Sequence, residues 1–358
     1  SLLLAGLLIP AGACKTMRAG SGTDQLLADW DTCQALGARV QWQTDLAMPP
    51  GTAIERVKPF DDFLLVSESG NIITLVEADD GDIRWRRQVG LASERFSQPM
   101  PYQDVIVIAS QSRAFVLRQD NGTTVQTIPL KHNPATNPVF YQGRMILGSR
   151  TGRLFSVLLR NGVTTWEYQM RAAITADPIQ MNNVIFFVDE ESDVAVINPV
   201  SGSIIWRKDD PPWEPVVAQP AANESTAFVA STDQKLYAFD RTGGTLLWQY
   251  LTERPLTTSP KLFGDRLFQQ THEGLVCLDT LLGEELWKTD APGTPVATRP
   301  GQVLILNGQA LNFHDIDDGH LLDSVELPQT DIVAFADGPS PDFYLVNQDG
   351  RIMKLSPK

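Results

Sequence analysis

A glycine followed four residues later by a tryptophan returns about every forty residues along this chain, and that period restricts the fold more than any other feature. The pairs are Gly81 with Trp85, Gly162 with Trp166, Gly202 with Trp206, Gly244 with Trp248, and Gly283 with Trp287. Trp42 stands one period earlier, Gly122 with Gln126 fills the double gap after Trp85, and Gly319 with Asp323 makes a last copy. Eight anchors result, at positions 42, 85, 126, 166, 206, 248, 287 and 323. Glycine can take a positive-φ turn position without steric cost, and an indole four residues on can cover apolar surface between neighbouring units. The tryptophans are therefore expected to be structural mortar of a repeat rather than substrate-stacking residues.

Around each anchor the same short strands recur. A β-branched, apolar run lies about twenty residues before the anchor, as at 105–110, 145–149, 184–189 and 227–231. A turn and an alternating run follow, as at 70–75, 152–157, 235–240 and 350–355, and an Asp/Asn/Gly turn then leads into the anchor strand. Pro99, Pro138, Pro178, Pro220 and Pro260 mark the strand that opens five of the units. Four short antiparallel strands per repeat predict a propeller blade. Residues 332–355 supply three strands and stop, whereas the first anchor strand, 39–44, has no three before it. The N-terminal strand is thus expected to join the last blade. The predicted fold is all-β, an eight-bladed β-propeller of four-stranded antiparallel blades over residues 38–358, with no open edge in the ring.

Composition narrows the function. Hydrophobic residues at 42% and charged residues at 20% are ordinary for a globular chain, and 26 Gly with 24 Pro supply turns without collagen-like periodicity. With 29 basic against 43 acidic residues the net charge is −14, so the basic footprint that nucleic acid requires is missing. Cys14, Cys33 and Cys277 are too few and too scattered for a disulfide scaffold or a zinc knuckle.

The first line reads as an export signal. Residues 2–9, LLLAGLLI, followed by Pro10 and Ala11-Gly12-Ala13-Cys14, have the length and small-residue exit of a signal-peptide core, and are too short to span a bilayer. Residues 1–13 are expected to be a signal peptide truncated at its start. Two processing events fit: cleavage after Ala13, or lipidation of Cys14 as in a bacterial lipoprotein, which is the expected one although Ala11 replaces the usual Leu of the lipobox. Residues 14–37, polar and mixed with one amphipathic turn around Leu26, Leu27 and Trp30, are expected to be a tether.

The run Ala238-Phe-Asp240-Arg-Thr-Gly-Gly244-Thr-Leu-Leu-Trp248 resembles the A-x-D-x-x-x-G-x-x-x-W repeat of pyrroloquinoline-quinone (PQQ) type propellers, and Cys277-Leu-Asp279 to Trp287 is a close second. Within that superfamily, a lipoprotein-like leader, a short tether and eight blades resemble the BamB family of outer-membrane assembly lipoproteins, with detailed similarity at 152–166 and 256–274. The resemblance implies a non-catalytic scaffold on the periplasmic face of the outer membrane, lipid-anchored, monomeric within a complex and without cofactor. Its implied partners are a BamA-like barrel-assembly protein and unfolded outer-membrane proteins. Carried onto this chain, the family's contacts fall at Leu130 and Lys131 in one inter-blade loop and at Arg171 and Asp177 in the next, both loops shorter than the family's. The rival in the same fold is a PQQ- and calcium-dependent dehydrogenase. Such enzymes carry a vicinal cysteine pair and long walls around the cofactor, and this chain has neither adjacent cysteines nor room for those loops. A third alternative is a PQQ-like repeat protein of other binding function.

Other motifs are weak. H-E-x-x-H, the P-loop and G-x-S-x-G are all missing from the sequence. The cluster His314-Asp315-Ile-Asp317-Asp318-Gly319-His320 lacks EF-hand spacing and coincides with a repeat turn, so a solvated hairpin is expected and no metal site. In 208–215, KDDPPWEP, Trp213 falls out of phase with the repeat, and a tryptophan stiffened by prolines would suit a protein partner, the alternative being that it folds over a blade edge.

Overall fold

The repeat works first through its hairpin turns. The Asp240 carboxylate accepts the N–H groups of Thr242 and Gly243 at 2.9 and 2.8 Å, while Gly244 donates to the Asp240 carbonyl at 3.0 Å. Asp279 does the same for Leu281, Leu282 and Gly283, and Asp315 for Asp317, Asp318 and Gly319. The turn glycines sit at φ between 66° and 78°, where a side chain would be strained. Beyond the turn, Phe239 pairs with Leu246 and Ala238 with Trp248, so Leu247 is bulged out of the ladder.

These hairpins build eight four-stranded antiparallel sheets in the computed structural model, which describes residues 26–358 apart from 210, 213 and 339. The expected signal peptide, Cys14 and Trp213 lie outside the described residues. Seven blades follow in chain order, from the strand Ile54–Phe60 to the strand Leu321–Glu326. The eighth combines Ile332–Phe335, Phe343–Val346 and Arg351–Pro357 with the N-terminal strand Ala38–Asp45, in register from Ala38 opposite Pro357 to Asp45 opposite Arg351. The eight-bladed ring closed by its N-terminal strand is thus as the sequence predicts. First strands of successive blades contact one another, so they line a central channel, and the anchor strands form the outer rim. Pro99, Pro138, Pro178, Pro220 and Pro260 are buried immediately before five of these inner strands.

Between blades, each indole lies on the turn glycine of the next blade rather than on that of its own anchor. A Cβ on Gly202, Gly244, Gly283 or Gly319 would stand 2.4 to 2.6 Å from Trp166, Trp206, Trp248 or Trp287 respectively. Trp42 and Trp85 meet Gly81 and Gly122 in the same way. All six indole N–H groups donate to a carbonyl of that next turn, at 2.7 to 3.1 Å. Two seams lack the device. Gly162 meets Ile128 because position 126 is Gln, and at the seam between blades 7 and 8 Asp323 has no indole to offer while Ala38 takes the glycine's place.

That last seam is filled by the chain's own N-terminal segment. Leu27, Ala28, Cys33 and Leu36 are buried among Leu304, Phe313, Val325 and Phe343, and the helix Trp30–Ala35 is capped by Asp29, whose carboxylate accepts the Thr32 N–H at 2.8 Å. The expected tether does not hold for its last twelve residues: 26–37 are part of the packed domain, and the amphipathic turn read from Leu26 and Leu27 is its hydrophobic edge. Arg299 fastens the helix end by donating to the Leu36 carbonyl at 2.8 Å, with its guanidinium over Phe313 and Phe343.

Closure also carries one buried charge. Lys354 donates to the Ala78 carbonyl and pairs with Asp342, both at 2.9 Å, and Ala78 also accepts from Trp42. Lys354→Met removes the ion pair to Asp342 and a charged hydrogen bond across the joint, so a loss of about 1–3 kcal/mol is expected in urea unfolding. An unchanged midpoint contradicts this role.

Candidate functional site

The loops that connect one blade's rim to the next blade's inner strand meet the hairpin turns between second and third strands on one face of the ring. Leu130 donates its N–H to Ser112 of such a turn at 2.8 Å and its half-buried side chain joins the core between blades 2 and 3. Its neighbour Lys131 is exposed and pairs at 2.7 Å with Glu167, which also faces His132 at 3.1 Å and Arg153 at 3.2 Å. Lys131 is the main cause that holds the Glu167 carboxyl below the ordinary glutamate range.

One blade on, Arg171 projects from the same face, 3.2 Å from Asp209 and 3.8 Å from the buried Asp193, which Arg207 also engages. Asp189 lies beneath, and burial pushes its carboxyl above the ordinary aspartate range although it accepts the N–H groups of Ala172, Glu191 and Asp193. The face therefore carries alternating cations and carboxylates from blade 2 to blade 4, held over a packed interior. Glu167→Gln tests one part of it. Because the folded pKa is lowered, its contribution of about 1 kcal/mol is present at neutral pH and is lost as pH falls through that lowered value. The wild type should lose its margin over the variant as the pH is taken down through that lowered value in thermal unfolding, whereas a pH-independent difference would contradict the ion-pair account.

Asp177 is placed apart from Arg171, at the mouth of the channel. Its carboxylate accepts from the Asn137 main-chain N–H and from Nδ2, both at 2.7 Å, and its own N–H donates to Gln219. It belongs to a belt in which Gln98 donates to the Asn137 side chain at 2.7 Å and Gln219 to Ser259 at 3.0 Å. Of these five only Asp177 is singled out by the sequence reading, and not as part of a group. Their signal was in the sequence, a polar residue directly before each of the marked prolines, where the backbone is confined to an extended conformation that leaves the N–H free for the neighbouring blade.

After position 213, the Glu214 carbonyl accepts from Ser192 and Ser231 and Val216 is buried; the Pro211–Pro212 bond is cis. At the opposite face, Asp315, Asp318 and His320 bring one ligand atom each within 4.8 Å, but Asp315 is committed to its turn and Asp318 to His320, as a hairpin turn requires.

The profile of the family described as outer membrane protein assembly factor BamB matches residues 33–191 and 190–331, most of the ring. The BamB of Alkalilimnicola ehrlichii is 25% identical over 152 residues, 39% of each chain, and that of Yersinia pestis 22% identical over 261 residues, 65% of this chain and 64% of the relative. The matches thus span less than two thirds of those relatives' lengths. The crystal structure of BamB from Moraxella catarrhalis superimposes with a TM-score of 0.69 at 15% identity, over 88% of this chain and 97% of that one, which shows the shared propeller fold. With a family match over both halves of the ring and the repeat laid out as above, the chain belongs to the PQQ-like repeat family of outer membrane protein assembly factor BamB.

Proposed function

We propose that this chain is a non-catalytic scaffold of outer-membrane protein assembly, exported, lipid-anchored through Cys14 on the periplasmic side of the outer membrane, and bound through its loop face to a BamA-like barrel-assembly protein. The single observation that carries this reading is the family match across both halves of the ring. The loop face supports it, because Lys131 and Arg171 hold exposed cations on a rigid frame while their carboxylate neighbours keep them oriented. Unfolded outer-membrane proteins are the second expected class of partner. Strand edges and side chains are otherwise spent on blade packing, so loops are where specificity can vary without cost to the fold.

The test is charge reversal on that face. Lys131→Glu with Arg171→Glu should reduce capture of the barrel-assembly partner at least tenfold, while the rim variant Arg160→Glu captures as the wild type does. Equal capture by all three would remove the loop face from the interaction.

A further inference from the structure

We propose that the central channel holds a binding site for a small organic carboxylate with an apolar or aromatic body, centred on Lys58. Lys58 lies on the inner strand Ile54–Phe60 of blade 1 and lines two adjoining cavities, of about 570 Å³ and about 300 Å³. The larger is of the size that small-molecule sites take. The only hydrogen-bond partner of the Lys58 ammonium among the described residues is the Met100 sulfur at 3.3 Å, a weak acceptor. No carboxylate is within ion-pair distance of it among those residues; Asp337 and then Asp177 act on it from further away, and Asp177, which also lines the larger cavity, is already occupied by Asn137. Burial is the main effect on this group and lowers its pKa, the mark of a cation short of partners.

Beside that cation the larger cavity presents an apolar wall. Tyr102 and Phe140 stack at 4.7 Å with an interplanar angle of 26°, and the Tyr102 hydroxyl is turned away to accept the Gly143 N–H at 2.7 Å. Met100 completes the wall next to the ammonium. Arg56, exposed on the same strand, lines the smaller cavity and adds a second cation on the approach. One anionic head for Lys58 and one flat apolar body for Met100, Tyr102 and Phe140 describe the ligand class. The site is separate from the loop-face partner reading and does not depend on it.

Calorimetric titration of the full chain with 3-phenylpropionate and with its uncharged amide tests this. Saturable binding of the carboxylate is expected, at least tenfold weaker for the amide and at least tenfold weaker for Lys58→Met, while Lys261→Met, on the inner strand of blade 6, binds as the wild type does. If Lys58→Met fails to fold, Lys58→Gln serves for the same comparison. No saturable binding of the carboxylate, equal binding of the amide, or binding indifferent to the loss of the Lys58 charge would each overturn the proposal.

Discussion

Trp248→Ala lowers the free energy of unfolding by about 3–5 kcal/mol, and Gly283→Ala, which adds one methyl group, costs a comparable amount. The two substitutions act on one contact from opposite sides. The indole of Trp248 is buried, donates to the Thr280 carbonyl at 3.1 Å, and leaves no room for a Cβ on Gly283, which would stand 2.4 Å away. Removing the ring leaves a cavity at the seam between blades 5 and 6 and an unpaired carbonyl. Adding the methyl group forces the indole outward at a position whose φ of 69° already disfavours a side chain. Because they share a contact, the double variant should cost clearly less than the sum of the single ones, a coupling that urea unfolding of all four proteins measures. The control is Trp30→Ala: that ring is 71% exposed and its removal should change stability by less than about 0.5 kcal/mol. Additive effects in the cycle would contradict the indole-on-glycine account of the seams.

Deleting residues 1–45 has the second large effect, loss of the folded monomer. The strand Ala38–Asp45 pairs along its length with Arg351–Pro357, carries Trp42 onto Gly81, and brings with it the segment that fills the seam between blades 7 and 8. Without it the strand Arg351–Pro357 becomes an open edge next to exposed core, including Leu304, Phe313, Phe343 and Leu355. The shortened chain should elute as oligomers or precipitate, whereas deletion of residues 1–25 alone should leave a monomer of unchanged melting temperature. A stable, monomeric chain starting at residue 46 would show that closure is not what holds the ring.

Much of this fold is legible because each repeat states its own turn. Asp240, Gly244 and Trp248 specify a carboxylate-closed hairpin, a positive φ and an indole, and the ring follows from the number of copies. What the repeat hides is which glycine each indole meets, since Gly244 and Trp248 are neighbours in sequence while their contacts lie in blades on opposite sides. The bulge before each anchor hides something else. Leu246 and Leu247 are apolar and yet exposed, because the extra residue breaks the alternation ahead of the buried Trp248. Residues 26–37 read as a tether because they continue a polar, mixed stretch that starts at Lys15 and show only one amphipathic turn, and only the missing indole at Asp323 makes sense of Leu27, Cys33 and Leu36 as a plug.

The candidate sites are less legible for a physical reason. Lys131 and Arg171 are surface cations like many others until the structure sets them among Glu167, Asp193 and Asp209. Lys58 draws no notice in the sequence, since its isolation from carboxylates depends on which side chains eight separate strands bring to one axis. Asp177 looked like a loop residue and is a link in the belt before the prolines.

The measurement that bears most directly on the scaffold reading is affinity capture of the full chain from detergent-solubilised envelopes, with mass spectrometry of the partners and of Cys14. The account predicts an outer-membrane barrel-assembly protein in the eluate and diacylglycerol on the cysteine. A chain recovered alone and unlipidated, and gaining dye-reducing activity with PQQ and calcium, would contradict it.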